Sequence, residues 1–211
     1  MEKQGYTHVA LVLDASGSME SVRGSTIATM RKFFDSLKSE EDKTVIDLWQ
    51  FDDRVLHVLD GIDIDSGSSA AIENYTTGGC TALYDAICTG IDGLGRKFAA
   101  MSENERPDAV VFAILTDGFE NASRLFSVED VRGRITHQTE KYSWMFRFLA
   151  ANQNAVLAGR DFGLEAKDCL DIEATDEGIE RACRGLVSMC CDMARPIARS
   201  RRAMKKRHIA F

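Results

Sequence analysis

The sequence predicts an α/β protein: a doubly wound, mostly parallel sheet of six strands, with one antiparallel edge strand and helices on both faces. Short aliphatic runs alternate along the chain with longer segments whose apolar residues have helical spacing. Two neighbouring strand candidates are separated by only two residues, which predicts a hairpin. With 211 residues, 45% of them hydrophobic, the chain can bury one sizeable core.

The first half of the chain supplies three strands and two helices. The stretch THVALVLD is an aliphatic run typical of a buried strand. Met30, Phe33 and Leu37 recur at helical spacing in the segment that follows. Asp52 and Asp53 separate the second and third strands, so we expect these two strands to be antiparallel. The predicted strands are 7–14, 44–51 and 54–60, and the predicted helices are 20–38 and 81–101.

The second half repeats the alternation of strand and helix. DAVVFAILTD and WMFRFLAA are apolar enough to be buried strands, and DCLDIEA is a weaker strand. Ser127 or one of its neighbours can cap the helix that follows. Because the strands alternate with helices, we expect a parallel sheet that is covered on both faces. The predicted strands are 108–117, 144–151 and 168–174, and the predicted helices are 128–141, 154–162 and a last one from residue 175.

Charge divides the chain into an acidic body and a basic tail. We expect one domain over residues 1–194 and a basic tail over residues 195–211, because no Pro-rich or Ser-rich linker occurs before the tail. The tail holds seven of the 26 Lys and Arg residues and none of the 33 Asp and Glu residues, which leaves a formal charge of −14 on the body. The acidic body argues against nucleic-acid binding, except through the tail.

Targeting signals and cysteine spacing indicate a cytoplasmic protein without membrane contact. The N-terminal residues do not form a signal peptide, and no apolar segment approaches the length of a membrane span. The six cysteines occur without a Cys-x-x-Cys pair. In a reducing compartment they are expected to be small buried apolar residues, and we do not expect a zinc site.

Side chains with oxygen donors follow two predicted strands and precede one predicted helix. Asp14, Ser16 and Ser18 leave the first strand, Thr81 lies at the start of the helix 81–101, and Asp117 ends the strand 108–117. In a doubly wound sheet, ligands bind beyond the carboxyl ends of the strands. Two carboxylates and three hydroxyls form a donor set suited to Mg²⁺ or Mn²⁺. The sequence therefore predicts a divalent-metal site made of these five residues.

Some assignments around this site remain open from the residues alone. Thr76 and Thr77 also lie near the glycines of the loop, and Thr81 is preferred because a helix begins directly after it. Asp85 could support the site from behind or be an exposed charge. Glu120, with the Asn that follows it, could line the site or belong to a solvated loop.

Three sequence segments, LVLDASGSM, GGCTALYDAI and ILTDGFENAS, resemble the three loops of a von Willebrand factor A domain with a metal-ion-dependent adhesion site. The resemblance covers about residues 6–190 and implies the Rossmann-like fold of that family. It implies direct metal contacts by Ser16, Ser18 and Thr81, with Asp14 and Asp117 contacting the metal directly or through water. A Glu or Asp of a partner protein would complete the coordination. TDGFENAS, with WMFRFLAANQNA after it, is more similar to stand-alone intracellular bacterial or phage members than to adhesion receptors.

The leading functional hypothesis is a metal-dependent protein-interaction module that binds an acidic residue of a partner. Catalytic residues and organic cofactors are not expected, because no histidine accompanies Ser16 or Ser18 as a base. A Mg²⁺-dependent phosphohydrolase is an alternative, but such enzymes carry a second carboxylate where this chain has Ser16. An accessory subunit of an ATPase complex or a phage particle is a further alternative, which the resemblance permits.

Overall fold

The structure is a computed structural model, and it describes residues 6–38, 43–64, 68–151, 154–173, 175, 177–181, 184–186 and 188. The basic tail predicted for residues 195–211 lies outside the described residues. Among the described residues, no helix combines the length and the apolar character needed to cross a bilayer.

A six-stranded sheet forms the centre of the molecule, in the order β3-β2-β1-β4-β5-β6. Parallel pairing joins all neighbours except β2 and β3, which are antiparallel and place β3 at one edge. The predicted fold class, including the antiparallel edge strand, is therefore confirmed. The strands are β1 (Thr7–Asp14), β2 (Thr44–Phe51), β3 (Val55–Asp63), β4 (Ala109–Thr116), β5 (Met145–Ala151) and β6 (Cys169–Ile172).

Four α-helices connect the strands, and residues between 177 and 188 include further helical turns after β6. Ser127 caps α3: its hydroxyl accepts a hydrogen bond from the Asp130 amide, and the Asp130 carboxylate accepts one from the Ser127 amide. The predicted N-cap is thus confirmed. The helices are α1 (Arg23–Leu37), α2 (Leu83–Ala99), α3 (Val128–Tyr142) and α4 (Ala155–Asp161).

The two faces of the sheet bury two separate apolar clusters, because successive side chains of a strand point to opposite faces. Leu11 and Leu13 of β1 pack on the face covered by α1, with Phe33 and Phe34. Val12 packs on the face covered by α2, α3 and α4. The central strand β1 is buried along its whole length, which fixes the position of the residue at its end.

The largest differences from the sequence-based boundaries occur at three places. The predicted helix 20–38 begins as a 3-10 turn at Gly17–Val22 and becomes α-helical only at Arg23. The edge strand β3 continues to Asp63 rather than ending at residue 60. The stretch between residues 60 and 81, for which the sequence predicts no helix or strand, contains a 3-10 turn at Ser68–Asn74. Turns of this kind have no apolar periodicity of their own, so the sequence pattern does not reveal them.

Candidate metal centre

The five predicted site residues lie at one edge of the sheet, where the order of strands reverses direction. Asp14 is the last residue of β1, and Asp117 directly follows β4, which is the neighbour of β1. The chain winds from β1 outward to β2 and β3, and then returns to β4 on the other side. The carboxyl ends of the two central strands therefore flank the crevice in which doubly wound sheets bind ligands.

The hydroxyls of Ser16 and Ser18 and the carboxylate of Asp117 form a chain of close oxygen atoms. The Oγ atoms of Ser16 and Ser18 are 3.1 Å apart, and Ser18 Oγ donates a hydrogen bond of 2.5 Å to Asp117 Oδ1. Neighbouring ligands around an octahedral Mg²⁺ are roughly 2.9 Å apart, given metal–oxygen distances of about 2.0–2.1 Å. The spacing of these three oxygens fits the edges of such an octahedron.

Thr81 reaches the same point from the start of α2. A methyl group placed on Gly118 would lie 3.2 Å from Thr81 Oγ1 and 3.6 Å from Ser18 Oγ, so both hydroxyls face the Gly118 backbone. Thr77 instead donates its hydroxyl hydrogen bond to Glu20, and Thr76 is exposed. Of the three threonines considered from the sequence, Thr81 is the one that lies beside the other site hydroxyls.

Backbone hydrogen bonds join the loops that carry these side chains. The amide of Gly78 donates to the carbonyl of Ala15 at 2.8 Å, and the amide of Gly17 donates to the carbonyl of Gly79 at 3.3 Å. Gly79 has a φ of +67°, and a Cβ atom there would lie 2.4 Å from an oxygen of Asp53. A glycine is therefore required at residue 79 for the loops to approach this closely.

Asp14 is fully buried, and its carboxylate is held by neutral donors. The amide of Ser16 donates to Asp14 Oδ1 at 2.7 Å, and the hydroxyl of Thr116 donates to Oδ2. The Tyr75 hydroxyl donates to the Asp14 carbonyl. Burial raises the pKa of Asp14, although the hydrogen bonds from Thr116 and Ser16 oppose this shift. Among the described residues, no basic side chain pairs with this carboxylate.

Asp117 is also buried, which gives the site two carboxylates that water screens poorly. Burial raises the pKa of Asp117, and the hydrogen bond from Ser18 opposes this shift. Buried charges of one sign are costly unless a counterion accompanies them. A divalent cation between the two carboxylates would supply that charge.

The residues left open by the sequence have structural roles in the loop after β4. Asp85 is not an exposed charge: its carboxylate accepts hydrogen bonds from the amides of three consecutive residues, 124–126. Glu120 accepts from the amides of Tyr84, Ala122 and Ser123. Asn121 accepts from the Thr81 amide at 2.9 Å. Asn121 therefore positions the threonine of the site, a role that the sequence did not indicate.

A second polar cluster lies on β2 and β3, away from this site. Asp47, His57 and Asp60 bring possible ligand atoms within 4.8 Å of one another. Asp47 of β2 lies beside Ala10 of β1. Ala10 is four residues before Asp14, so the cluster lies about 13 Å from the end of β1 along the strand. The ammonium of Lys97 lies 3.1 Å from Asp47 Oδ2 and 2.6 Å from Asp60 Oδ1. Lys97 is thus the cation of this cluster.

The fully buried Asp47 accepts from a further histidine, His8, whose Nε2 lies 2.7 Å from Asp47 Oδ2. His8 Nδ1 is buried and has no hydrogen-bond partner among the described residues, which fits a neutral ring protonated on Nε2. Burial lowers the pKa of His8 against the opposing effect of Asp47. Burial alone would raise the pKa of Asp47. The hydrogen bonds from His8 and Lys97 and the positive charge of Lys97 outweigh this effect, and the pKa of Asp47 is lowered.

The lowered pKa of His8 predicts a contribution to the free energy of unfolding, measured in EDTA, that is lost as the pH is lowered from about 7.5 to 5. Below about pH 6.5 an unfolded histidine binds a proton that the folded His8 does not bind. Asp47 adds a further loss as the pH falls through about 4, because its folded pKa is also the lower one. Urea titrations at several pH values measure this dependence.

The matched control is His8→Gln, which keeps an N–H donor for Asp47 but does not titrate. We expect the variant to depend less on pH than the wild type between about pH 7.5 and 5. The raised pKa values of Asp14 and Asp117 act in the opposite direction in both proteins, so the difference isolates His8. Equal slopes in the two proteins would show that His8 is not the responsible group.

Comparison with known proteins gives matches in solved structures only: no family profile and no curated protein matches the chain. Proximal thread matrix protein 1 from the mussel byssus superposes with a TM-score of 0.65 and 16% identity, over 90% of this chain and 47% of that chain. A further structure of that protein has a zinc-occupied metal-ion-dependent adhesion site, with a TM-score of 0.64 and 17% identity over the same shares of both chains.

A von Willebrand factor type A protein from Catenulispora acidiphila superposes with a TM-score of 0.62 and 15% identity, over 89% of this chain and 43% of that chain. The chain thus spans about half the length of these proteins. At this level of identity the likeness concerns the fold, and it agrees with the strand order and with the antiparallel edge strand described above. The chain has the fold of a von Willebrand factor A domain.

Proposed function

We propose that the protein is a metal-dependent protein-interaction module that binds an Asp or Glu side chain of a partner through a divalent cation at the candidate metal centre. Mg²⁺ or Mn²⁺ would be held by Ser16, Ser18 and Thr81, with Asp14 and Asp117 contacting it directly or through water. The convergence of three hydroxyls and two buried carboxylates from three separate loops is the observation that carries the proposal.

The charge of the site favours an acidic ligand. Two carboxylates neutralise a divalent cation without leaving an excess of negative charge, so the cation retains affinity for a further anionic oxygen. The solved structures with a similar fold include one with a zinc-occupied metal-ion-dependent adhesion site and one of a manganese-loaded Plasmodium vivax protein. The zinc-occupied site supports the proposal of a divalent metal in this chain.

The residue two positions after Asp14 argues against the alternative of a phosphohydrolase. Such an enzyme would carry a second carboxylate there as its acid or base. This chain has Ser16, whose hydroxyl lies 3.1 Å from Ser18 Oγ among the proposed metal ligands. We therefore propose a binding function rather than an enzymatic one.

A cytoplasmic location is part of the proposal. Cys88 and Cys169 are buried free thiols, and Cys80 is an exposed free thiol. Burial raises the pKa of Cys88 to about 12, so this thiol remains protonated and unreactive. Unpaired cysteines suit a reducing compartment. Fractionation of the native host tests this part.

Replacing Ser16 and Ser18 together with alanine is expected to abolish binding of Mg²⁺ and Mn²⁺, because two of the five oxygen donors are lost. Isothermal titration calorimetry with each metal measures the effect. The fold should persist, since neither hydroxyl belongs to the apolar core. Ser36→Ala is the control: this exposed serine of α1 bonds only the Lys32 carbonyl, and its loss should leave metal binding unchanged. Equal metal binding by the double variant and the wild type would refute the site assignment.

The partner is tested by capture from lysate of the native host in Mg²⁺, followed by elution with EDTA. We expect a protein that is retained by the wild type and by Ser36→Ala but not by the double variant. Substitution of the Asp and Glu residues of that protein by Asn and Gln should identify one side chain on which capture depends. Capture that survives both EDTA and the double substitution would contradict the proposed function.

A further inference from the structure

An apolar groove of about 450 Å³ begins beside the candidate metal centre. It lies between the start of α2, the loop after β4, and α4. Its apolar lining consists of Leu83, Tyr84, Phe119, Leu157, Ala158 and Phe162. We define these residues as the rim groove.

The rim groove is continuous with the metal centre along two chain segments. Phe119 follows Asp117 by two residues, and Leu83 follows Thr81 by two residues. Consecutive Cα atoms are about 3.8 Å apart, so the Cα atoms of Phe119 and Leu83 each lie within about 8 Å of the Cα atom of a site residue. One short partner segment can therefore reach both the metal centre and the groove.

Two of the groove residues are large apolar side chains exposed to solvent. Phe119 is 63% exposed and Leu157 is 61% exposed, whereas Leu83 and Phe162 are buried beneath them. Single exposed apolar residues are normal at a protein surface. Two that line one concave surface beside a ligand site indicate a contact surface instead.

Hydrogen bonds hold one wall of the groove in place. The Glu120 carboxylate accepts hydrogen bonds from the amides of Ala122 and Ser123 within its own loop, and from the Tyr84 amide of α2 at 3.0 Å. A wall that is already ordered needs little reorganisation when a ligand binds, which reduces the entropic cost of binding.

The polar lining determines which part of a partner suits the groove. Glu120 and Asp161 both line it, so a second carboxylate is disfavoured there. An acidic partner residue is attracted to the metal, and an uncharged apolar residue fits the groove. Because the metal and the groove select different side chains, a partner segment can bind in one orientation only.

We propose that the rim groove takes an aliphatic or aromatic side chain of the same partner segment that offers its carboxylate to the metal. This inference rests on the proposed function. An extended segment advances about 3.3–3.6 Å per residue, so the apolar residue should lie two to four residues from the acidic one. The partner is therefore a protein with an exposed acidic residue and an apolar residue at that fixed offset.

The test is a selection of phage-displayed peptides that carry a fixed central Glu between random positions, on the full-length protein in Mn²⁺. We expect the bound peptides to be enriched in large apolar residues at one offset of two to four residues. Fluorescence anisotropy then measures the affinity of a synthetic peptide with the enriched sequence. The Phe119→Ser and Leu157→Ser variants should each bind this peptide at least tenfold more weakly than the wild type does. Loss of one buried apolar side chain contact accounts for a factor of this size.

Leu56→Ser is the matched control, because Leu56 is 61% exposed but lies on the edge strand β3. It should bind the peptide as the wild type does, and all three variants should bind Mn²⁺ with unchanged affinity by calorimetry.

Peptide binding that needs Mn²⁺ and the central Glu, but is insensitive to both groove substitutions, overturns the groove and leaves the proposed function intact. Binding that is lost in the groove variants but survives EDTA and a central Glu→Gln change supports the groove and overturns the proposed function. A selection that enriches no peptide counts against both.

Discussion

Replacing Asp47 with alanine is expected to lower the free energy of unfolding by about 1–3 kcal/mol, the cost of leaving a buried hydrogen-bonding group without its partner. The Asp47 carboxylate accepts from His8, His57 and Lys97, and also from the Gly61 amide at 3.0 Å. Without it, these donors would lose their common acceptor in the interior of the sheet. Chemical denaturation followed by circular dichroism measures the loss.

Asp60→Ala is the control for this prediction, because Asp60 bonds the same Lys97 ammonium. The Asp60 side chain is 71% exposed, and exposed ion pairs contribute at most about 1 kcal/mol. The Asp60→Ala variant should therefore lose little free energy of unfolding. If the two variants lost similar amounts of stability, the cluster would not stabilise the fold through the buried carboxylate.

Saturation with Mg²⁺ or Mn²⁺ is expected to produce the second large effect, a rise in the melting temperature. Only the folded chain brings Asp14, Thr81 and Asp117 together, so metal binding stabilises the folded state by mass action. At one hundred times the dissociation constant the gain is about 2.7 kcal/mol. For a chain of this size that corresponds to roughly 5–10 °C, and differential scanning fluorimetry measures it.

The Ser16→Ala, Ser18→Ala double variant is the control in the same titration. It should unfold cooperatively but show no rise in melting temperature with metal. A rise of equal size in the double variant would mean that the metal stabilises the protein from another place. The absence of a rise in the wild type at millimolar Mg²⁺ and Mn²⁺ would mean that the loops do not form a functional site.

The sheet could be predicted from the sequence because its strands are buried on both faces. β1 and β4 are nearly continuous aliphatic runs, and such runs have few alternatives to a central parallel strand. The hairpin of β2 and β3 followed from the short spacing between them. Boundaries were less predictable where 3-10 turns occur, as at Gly17–Val22, because backbone geometry rather than apolar spacing determines them.

The candidate site was partly predictable, since the carboxyl ends of parallel strands meet at one edge of the sheet, and Asp14 and Asp117 both follow the apolar run of a strand. The supporting residues were not, because their roles depend on contacts between distant segments. Thr116 bonds Asp14 across 102 residues of sequence, and Asn121 bonds Thr81 across 40. The Asp47 cluster was missed for the same reason. Asp47 looks like one polar residue in an alternating strand, yet it lies where the register between β2 and β3 shifts, and such irregularities redirect side chains.

The placement of Asp14 and Asp117 at the ends of β1 and β4 also has a mechanical consequence. β1 is hydrogen-bonded along its length to β2 on one side and to β4 on the other. A load applied at this edge along the strand axes would pull β1 and β4 in the same direction. The hydrogen bonds of β1 to β2 and of β4 to β5 would then bear the load together in shear, rather than opening one after another from an end.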